Sequence, residues 1–144
     1  MDVSELKSKL PPYGTFLASD ATYAVPTKRW LLDVYGPFYR KWTFDHDLLN
    51  WRDVWDCDDF AALYRILASA CHAKTNEGLF KERKQGLAVG EFSYRRIDLK
   101  NNTSVNHALN VALTDEGLVF IEPQTMMEAT LSEDDIRSCW FMRF

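Results

Sequence analysis

The stretch from Trp55 to Ala70, WDCDDFAALYRILASA, constrains the fold of this chain more than any other segment. Asp56 is a favourable N-cap, and Asp59, three residues later, can return the hydrogen bond of a capping box. Apolar residues then recur at intervals of three and four: Phe60, Tyr64, Leu67 and Cys71. This spacing predicts a helix that begins at about Cys57 and buries one face.

Cys57 falls in the first turn of this predicted helix. The partial positive charge at a helix N-terminus favours a thiolate, which is the reactive form of cysteine. The carboxylates of Asp56, Asp58 and Asp59 act against that effect. Because an unperturbed thiol is only about 3% thiolate at neutral pH, a nucleophile at this position needs a histidine or a bound cation beside it.

Length and composition predict a single domain over residues 1–144, with residues 1–26 as an N-terminal extension packed on it. The 144 residues are 47% hydrophobic, which suffices for one core. Three cysteines without a CxxC spacing favour reduced thiols in a cytoplasm. The net charge of -4 argues against a nucleic-acid partner, and no apolar run approaches the roughly 18 residues of a membrane span.

Helical patterns dominate the first half of the chain and strand patterns the second, which favours a segregated α+β fold. In this arrangement N-terminal helices precede the central cysteine helix, which packs against a C-terminal antiparallel sheet. The expected segments are a helix from Ser4 to Leu10, an ordered loop from Tyr13 to Pro26, a helix from Thr27 stopped by Gly36-Pro37, an irregular segment from Lys74 to Gln85, a strand from Gly86, a turn at Asn101-Asn102 and a hairpin on either side of Asp115-Glu116-Gly117.

His107 is the predicted partner of Cys57. A nucleophilic cysteine needs a base within hydrogen-bond reach and a third group that orients the base. Of the three histidines, only His107 stands at the start of a predicted strand, and either Glu122 or Gln124 on the partner strand can accept the imidazole N–H. A turn at Glu116-Gly117 puts Gln124 nearer to His107, whereas a three-residue loop presents the other face of the strand, so the residues leave this choice open.

Three motifs in order, DCDDFA at 56–61, HALN at 107–110 and IEPQT at 121–125, resemble the papain-like cysteine protease domain of the fairy-ring mushroom lectin. They are also similar to those of a group of small phage and prophage proteins. The resemblance implies a papain-like thiol hydrolase that cleaves a peptide or other amide bond in a protein substrate, in the host cytoplasm if it is phage encoded. Under it, Cys57 is the nucleophile, His107 the general base and Glu122 the third member of the triad.

This chain departs from the family pattern in two places. Trp51 stands where papain-like enzymes keep a glutamine that stabilises the oxyanion, so the adjacent Asn50 is the candidate for that role. The sugar-binding part of the lectin has no counterpart in this sequence, so sugar binding is not implied. A non-catalytic phage binding or structural module on the same fold is the alternative, favoured by the small size and the missing glutamine.

The resemblance also implies an activity that depends on calcium. Asp56, Asp58 and Asp59 are the predicted ligands, because a hard cation with oxygen ligands would offset their charge beside a thiolate. Ordinary capping of the helix explains the same carboxylates without a metal.

Overall fold

The computed structural model describes residues 1–76, 85–98, 101 and 103–144. They form an α+β fold, as predicted, in which a long central helix packs on a six-stranded sheet. The helices are α1 (Val3–Lys9), a π-helical segment (Trp30–Tyr35), α2 (Gly36–Asp45), α3 (Cys57–Asn76) and α4 (Glu133–Arg137). The strands are β1 (Thr15–Leu17), β2 (Tyr23–Ala24), β3 (Gly86–Leu87), β4 (Val89–Asp98), β5 (Thr103–Thr114), β6 (Gly117–Glu122), β7 (Met127–Ala129) and β8 (Phe141–Arg143).

The sheet is built around the long antiparallel pair β4 and β5. Its strand order is β1-β8-β4-β5-β6-β7, and only β1 and β8 among these neighbours run parallel. Strands β2 and β3 form a separate parallel pair. In the described part of the chain, no helix is long and apolar enough to cross a membrane.

Helix α3 begins at Cys57, which confirms the helix predicted from the capping residues and the apolar spacing. Its buried side chains include Phe60, Tyr64 and Ala68. Tyr64 and Ala68 share a core cluster with Val89 and Ala112 of the sheet. This face packs across β4 and β5, and a hydrogen bond from Asn110 to the Ala61 carbonyl ties the first turn of α3 to the strand that carries His107.

The N-terminal 26 residues differ from the prediction. Helix α1 begins at Val3, one residue before the predicted start at Ser4, and is capped by Asp2, whose side chain accepts a hydrogen bond from the Glu5 N–H. The predicted loop over 13–26 contains β1 and β2, because these short segments hydrogen-bond to β8 and β3, which lie far away in sequence. Propensity in a single segment carries no information about such partners.

The prediction that Gly36-Pro37 stops the second helix is wrong, because the helix continues through this pair. Thr27 Oγ1 accepts a hydrogen bond from the Trp30 N–H at the helix start, as expected of an N-cap. The chain then runs through the π-helical segment directly into α2, with the Gly36 N–H bonded to the Leu31 carbonyl. Proline disfavours helical backbone in the residue before it partly through that residue's Cβ, which glycine lacks, so the helix continues through this pair.

The connection after α3 is described only in part. The predicted irregular segment 74–85 begins inside α3, and residues 77–84 lie outside the described residues, as does part of the predicted turn at 101–102. Gly90 in β4 lies close to the backbone of β8. A Cβ at this position would lie 2.7 Å from the carbonyl oxygen of Arg143 on β8.

Candidate functional site

The N-terminus of α3 is capped by aspartates, and Cys57 is its first residue. The Asp56 N–H donates to Asp59 Oδ2 at 3.2 Å, and the Asp58 N–H donates to Asp56 Oδ1 at 3.3 Å. These bonds satisfy backbone donors that have no partner within the helix. The half-buried Cys57 forms no disulfide. The cap therefore holds a reduced thiol at the open end of the central helix.

His107 on β5 interacts with both Cys57 and Glu122. Its Nε2 lies 2.8 Å from Glu122 Oε2, and the ring of Tyr94 packs edge-on against the imidazole. A hydrogen bond with the Cys57 side chain, and next the hydrogen bond with Glu122, raise the pKa of His107 to about 9, although burial opposes this shift. At pH 7 the imidazole is therefore mostly protonated, in contact with a cysteine side chain and a carboxylate.

The register of the β5–β6 hairpin brings Glu122 to His107. Thr114 pairs with Gly117, so the turn consists of Asp115 and Glu116, and both loop positions considered from the sequence are wrong. The Thr114 hydroxyl fixes this turn, since it accepts from the Glu116 N–H and donates to the Gly117 carbonyl. Extended beyond Asn110 and Ile121, this register would set Gln124 opposite His107 and Glu122 on the diagonal. Strand β6 ends at Glu122, however, and the chain turns after it, so the Glu122 carboxylate reaches the imidazole.

Gln124 and Asn50, the other predicted site residues, lie outside this hydrogen-bonded group. Gln124 is half-buried in the turn after β6, and Asn50 is exposed in the loop before α3. Among the hydrogen bonds of the described residues, none joins either side chain to Cys57 or His107. The structure therefore brings together three of the predicted residues, and the roles of Gln124 and Asn50 stay predictions.

The acidic residues at the start of α3 match the predicted calcium ligands only in part. Asp56, Cys57 and Asp58 place their ligand atoms within 4.8 Å of one another, whereas Asp59 is committed to the cap. A hydrogen bond with Asp56, and next burial, raise the pKa of the Asp58 carboxyl. A set of two carboxylates and one thiol differs from the all-oxygen set that Ca²⁺ prefers. The calcium site stays a prediction.

A pocket of about 360 Å³ lies beside the strand pair that carries His107, and the sequence did not indicate it. Its lining residues are Arg95, Asn106, Ser138 and Trp140. Arg95 pairs with Asn106 in the β4–β5 ladder, directly after the pair of Tyr94 with His107. The Ser138 hydroxyl bonds to the backbone of Arg95 and fixes the neighbouring segment. Only the strand register brings these residues together, so no local sequence signal could have found the pocket.

No protein-family model matches this chain, and no curated protein does. Solved structures with a similar fold include the following two. One, a complex of PSL1a with E64, is 23% identical with a TM-score of 0.64 over 94% of this chain and 44% of that chain. The other, the lectin of Polyporus squamosus bound to the human-type influenza-binding epitope Neu5Acα2-6Galβ1-4GlcNAc, is 20% identical with a TM-score of 0.65 over 98% of this chain and 48% of that chain. This chain thus spans less than half the length of either.

These comparisons correct the functional interpretation of the sequence. These two structures are described as a lectin bound to a sialylated glycan and as a complex of PSL1a with E64, and neither description names a peptidase or a phage protein. The assignment to papain-like cysteine proteases is therefore wrong, as are the predictions of a thiol hydrolase, of a peptide or protein substrate and of phage origin. The three motifs contain Cys57, His107 and Glu122, which the structure places close together. The fold is similar to part of a lectin that is described as bound to a sialylated glycan.

Proposed function

We propose that this chain is a non-catalytic glycan-binding module, and that an acidic saccharide binds in the pocket formed by Arg95, Asn106, Ser138 and Trp140. The observation that carries the proposal is the indole of Trp140, 53% exposed beside a cationic and an amide side chain. The fold adds support, because a lectin described as bound to a sialylated glycan shares it.

Each lining residue suits one part of such a ligand. An exposed indole offers a flat apolar surface on which the apolar face of a sugar ring can pack, and its N–H can still bond to water or ligand. The Arg95 guanidinium presents paired donors that match a carboxylate. Within the described part of the chain, no carboxylate forms an ion pair with Arg95. The pocket volume also lies at the lower end of the roughly 300–1,000 Å³ typical of small-molecule sites.

Calorimetric titration with Neu5Acα2-6Galβ1-4GlcNAc and with the neutral disaccharide Galβ1-4GlcNAc tests this proposal. Arg95→Ala should weaken binding of the sialylated ligand about 10- to 150-fold, towards the level of the neutral one, since a hydrogen bond to a charged group is worth about 1.5–3 kcal/mol. Trp140→Ala should weaken binding of both ligands, because both pack a sugar ring on the indole.

Two exposed residues outside the pocket supply matched controls. Arg40→Ala removes a guanidinium from α2, and Trp51→Ala removes an indole that is 57% exposed. Both variants should bind like the unmodified protein. The proposal fails if no saturable binding occurs at millimolar glycan, or if the pocket variants bind as well as these controls.

A second function, capture of thiol-reactive small molecules at Cys57, is favoured by the imidazole held between this cysteine and Glu122. We propose that the sulfur of Cys57 is the nucleophile of this site, that His107 accepts and returns the thiol proton, and that Glu122 orients the imidazole. With an epoxide such as E64, the sulfur would form a C–S bond, a ring C–O bond would break, and the alkoxide would take up the proton held by His107.

Mass spectrometry after incubation with iodoacetamide or E64 tests this second proposal. Cys57 should be modified at least tenfold faster than Cys71 and Cys139, because burial raises the pKa of both of those thiols. Cys57→Ala should abolish the fast modification and leave glycan binding unchanged. Equal rates at the three cysteines would contradict an activated thiol.

A further inference from the structure

Asn110 joins the helix that carries Cys57 to the strand that carries His107. It is completely buried in the middle of β5. Its Nδ2 donates to the Ala61 carbonyl of α3 at 2.9 Å and to the Gly90 carbonyl of β4 at 3.0 Å. Since both partners are carbonyl oxygens, the NH2 end of the amide must face them. A carboxylate or an apolar side chain cannot replace these bonds.

The two elements meet close to the thiol and imidazole. Ala61 lies one helical turn after Cys57, and Asn110 lies three residues after His107 on the same strand, about 10 Å along it. The other polar tie between α3 and β4, formed by Arg65 and Glu91, lies a further turn along the helix. The amide of Asn110 is therefore the nearer of these two constraints on the first turn of α3.

We propose that Asn110 is a positioning residue that sets the separation between the Cys57 sulfur and the His107 imidazole. It acts through the Ala61 carbonyl, which fixes the first turn of α3 against β5. Because the amide is buried, no water can replace these partners, so the first turn of α3 is held in one position on the sheet. The inference rests on the proposed reactive-thiol site and does not depend on glycan binding.

The test compares Asn110→Ala with the double variant Arg65→Met/Glu91→Met, which removes the other polar tie. In Asn110→Ala, the midpoint of the His107 titration, followed by NMR, should fall from about 9 towards 6.5. The rate of Cys57 alkylation by iodoacetamide at pH 7 should fall at least tenfold. The double variant should keep both values. Far-UV circular dichroism and slow modification of Cys139 verify that each variant is folded.

The outcomes separate this inference from the function on which it rests. If His107 of the unmodified protein titrates near 6.5, the reactive-thiol site itself fails. If it titrates near 9 and Asn110→Ala behaves in the same way, or if the double variant lowers both readouts equally, only the positioning role fails. Should Asn110→Ala not fold, the same measurements on Asn110→Ser, which keeps a single donor, decide the question.

Discussion

The charge on His107 depends on neighbours from two other elements. Cys57 and Glu122 raise its pKa to about 9, so the folded protein holds a proton that an unfolded chain with a pKa of 6.5 releases. Stabilisation by this proton is fully present below about pH 6.5 and is lost as the pH rises through about 9. The sign follows because the folded state binds the proton more tightly than the unfolded state does.

Glu122→Gln should lower the pKa of His107 by about one unit or more, since the variant removes a negative charge within hydrogen-bond distance. An NMR titration of the imidazole measures this change directly. The loss of stability between pH 6.5 and 9 should also become smaller. Glu128→Gln, which removes a carboxylate on β7 that pairs with Lys28, is the matched control and should leave the titration of His107 unchanged. An unchanged midpoint in Glu122→Gln would show that Cys57 alone sets the shift.

The carboxyl group of Asp58 has a raised pKa because of Asp56, so its ionisation works against folding. At pH values at which Asp58 is ionised, Asp58→Asn should therefore have a higher melting temperature than the unmodified protein.

If the acidic residues hold calcium, CaCl2 should raise the melting temperature of the unmodified protein, with saturation, and have no such effect on Asp58→Asn. Equal responses of the two proteins would reduce the acidic group to a helix cap.

Helix α3 is fixed to the sheet by one ion pair as well as by Asn110. Arg65 Nε lies 2.7 Å from Glu91 Oε1, and the two side chains are only 14% and 13% exposed. Breaking such a pair leaves one charge without compensation, whereas replacing both partners removes the charge problem altogether. Replacing one partner and replacing both should therefore have different effects on the free energy of unfolding.

Arg65→Met should lower the free energy of unfolding by about 3–5 kcal/mol, because it leaves the Glu91 carboxylate buried and unpaired. The double variant Arg65→Met/Glu91→Met should recover most of that loss. Urea denaturation of the two single variants and the double variant gives the coupling energy. A double variant as unstable as the sum of the single variants would contradict the pairing.

The N-terminal residues belong to the core. Leu6 is fully buried in the same cluster as Phe92 and Val111 of the central strands. Strand β1 extends the sheet by pairing with β8, and the Phe144 N–H donates to the Leu17 carbonyl. Both ends of the chain therefore contribute to one side of the sheet.

Leu6→Ala should cost about 2–5 kcal/mol of unfolding free energy, as expected for a large-to-small change in a packed core. Leu17→Ala, in the nearby β1, removes a side chain that is 49% exposed and should change the free energy by no more than about 0.5 kcal/mol. Chemical denaturation of both variants measures the difference. Similar small losses would show that the N-terminal residues are a dispensable extension of a separate domain.

Features that depend on near neighbours in sequence were predictable. The start of α3 at Cys57 follows from Asp56 and Asp59, and the capping box of Ser132 and Asp135 likewise marks the start of α4. Capping and helical spacing act over three to four residues, so a window of sequence contains all the atoms involved.

Local patterns in the amino-acid sequence were sufficient to predict the central helix, the strand-rich second half and the candidate thiol and imidazole. The contact of His107 with Glu122 instead of Gln124, and the position of Arg95 beside Trp140, became clear only in the folded chain. Both depend on strand register, on where a strand ends and on pairing between distant segments. A shift of one or two residues exchanges one neighbour for another without altering any local propensity.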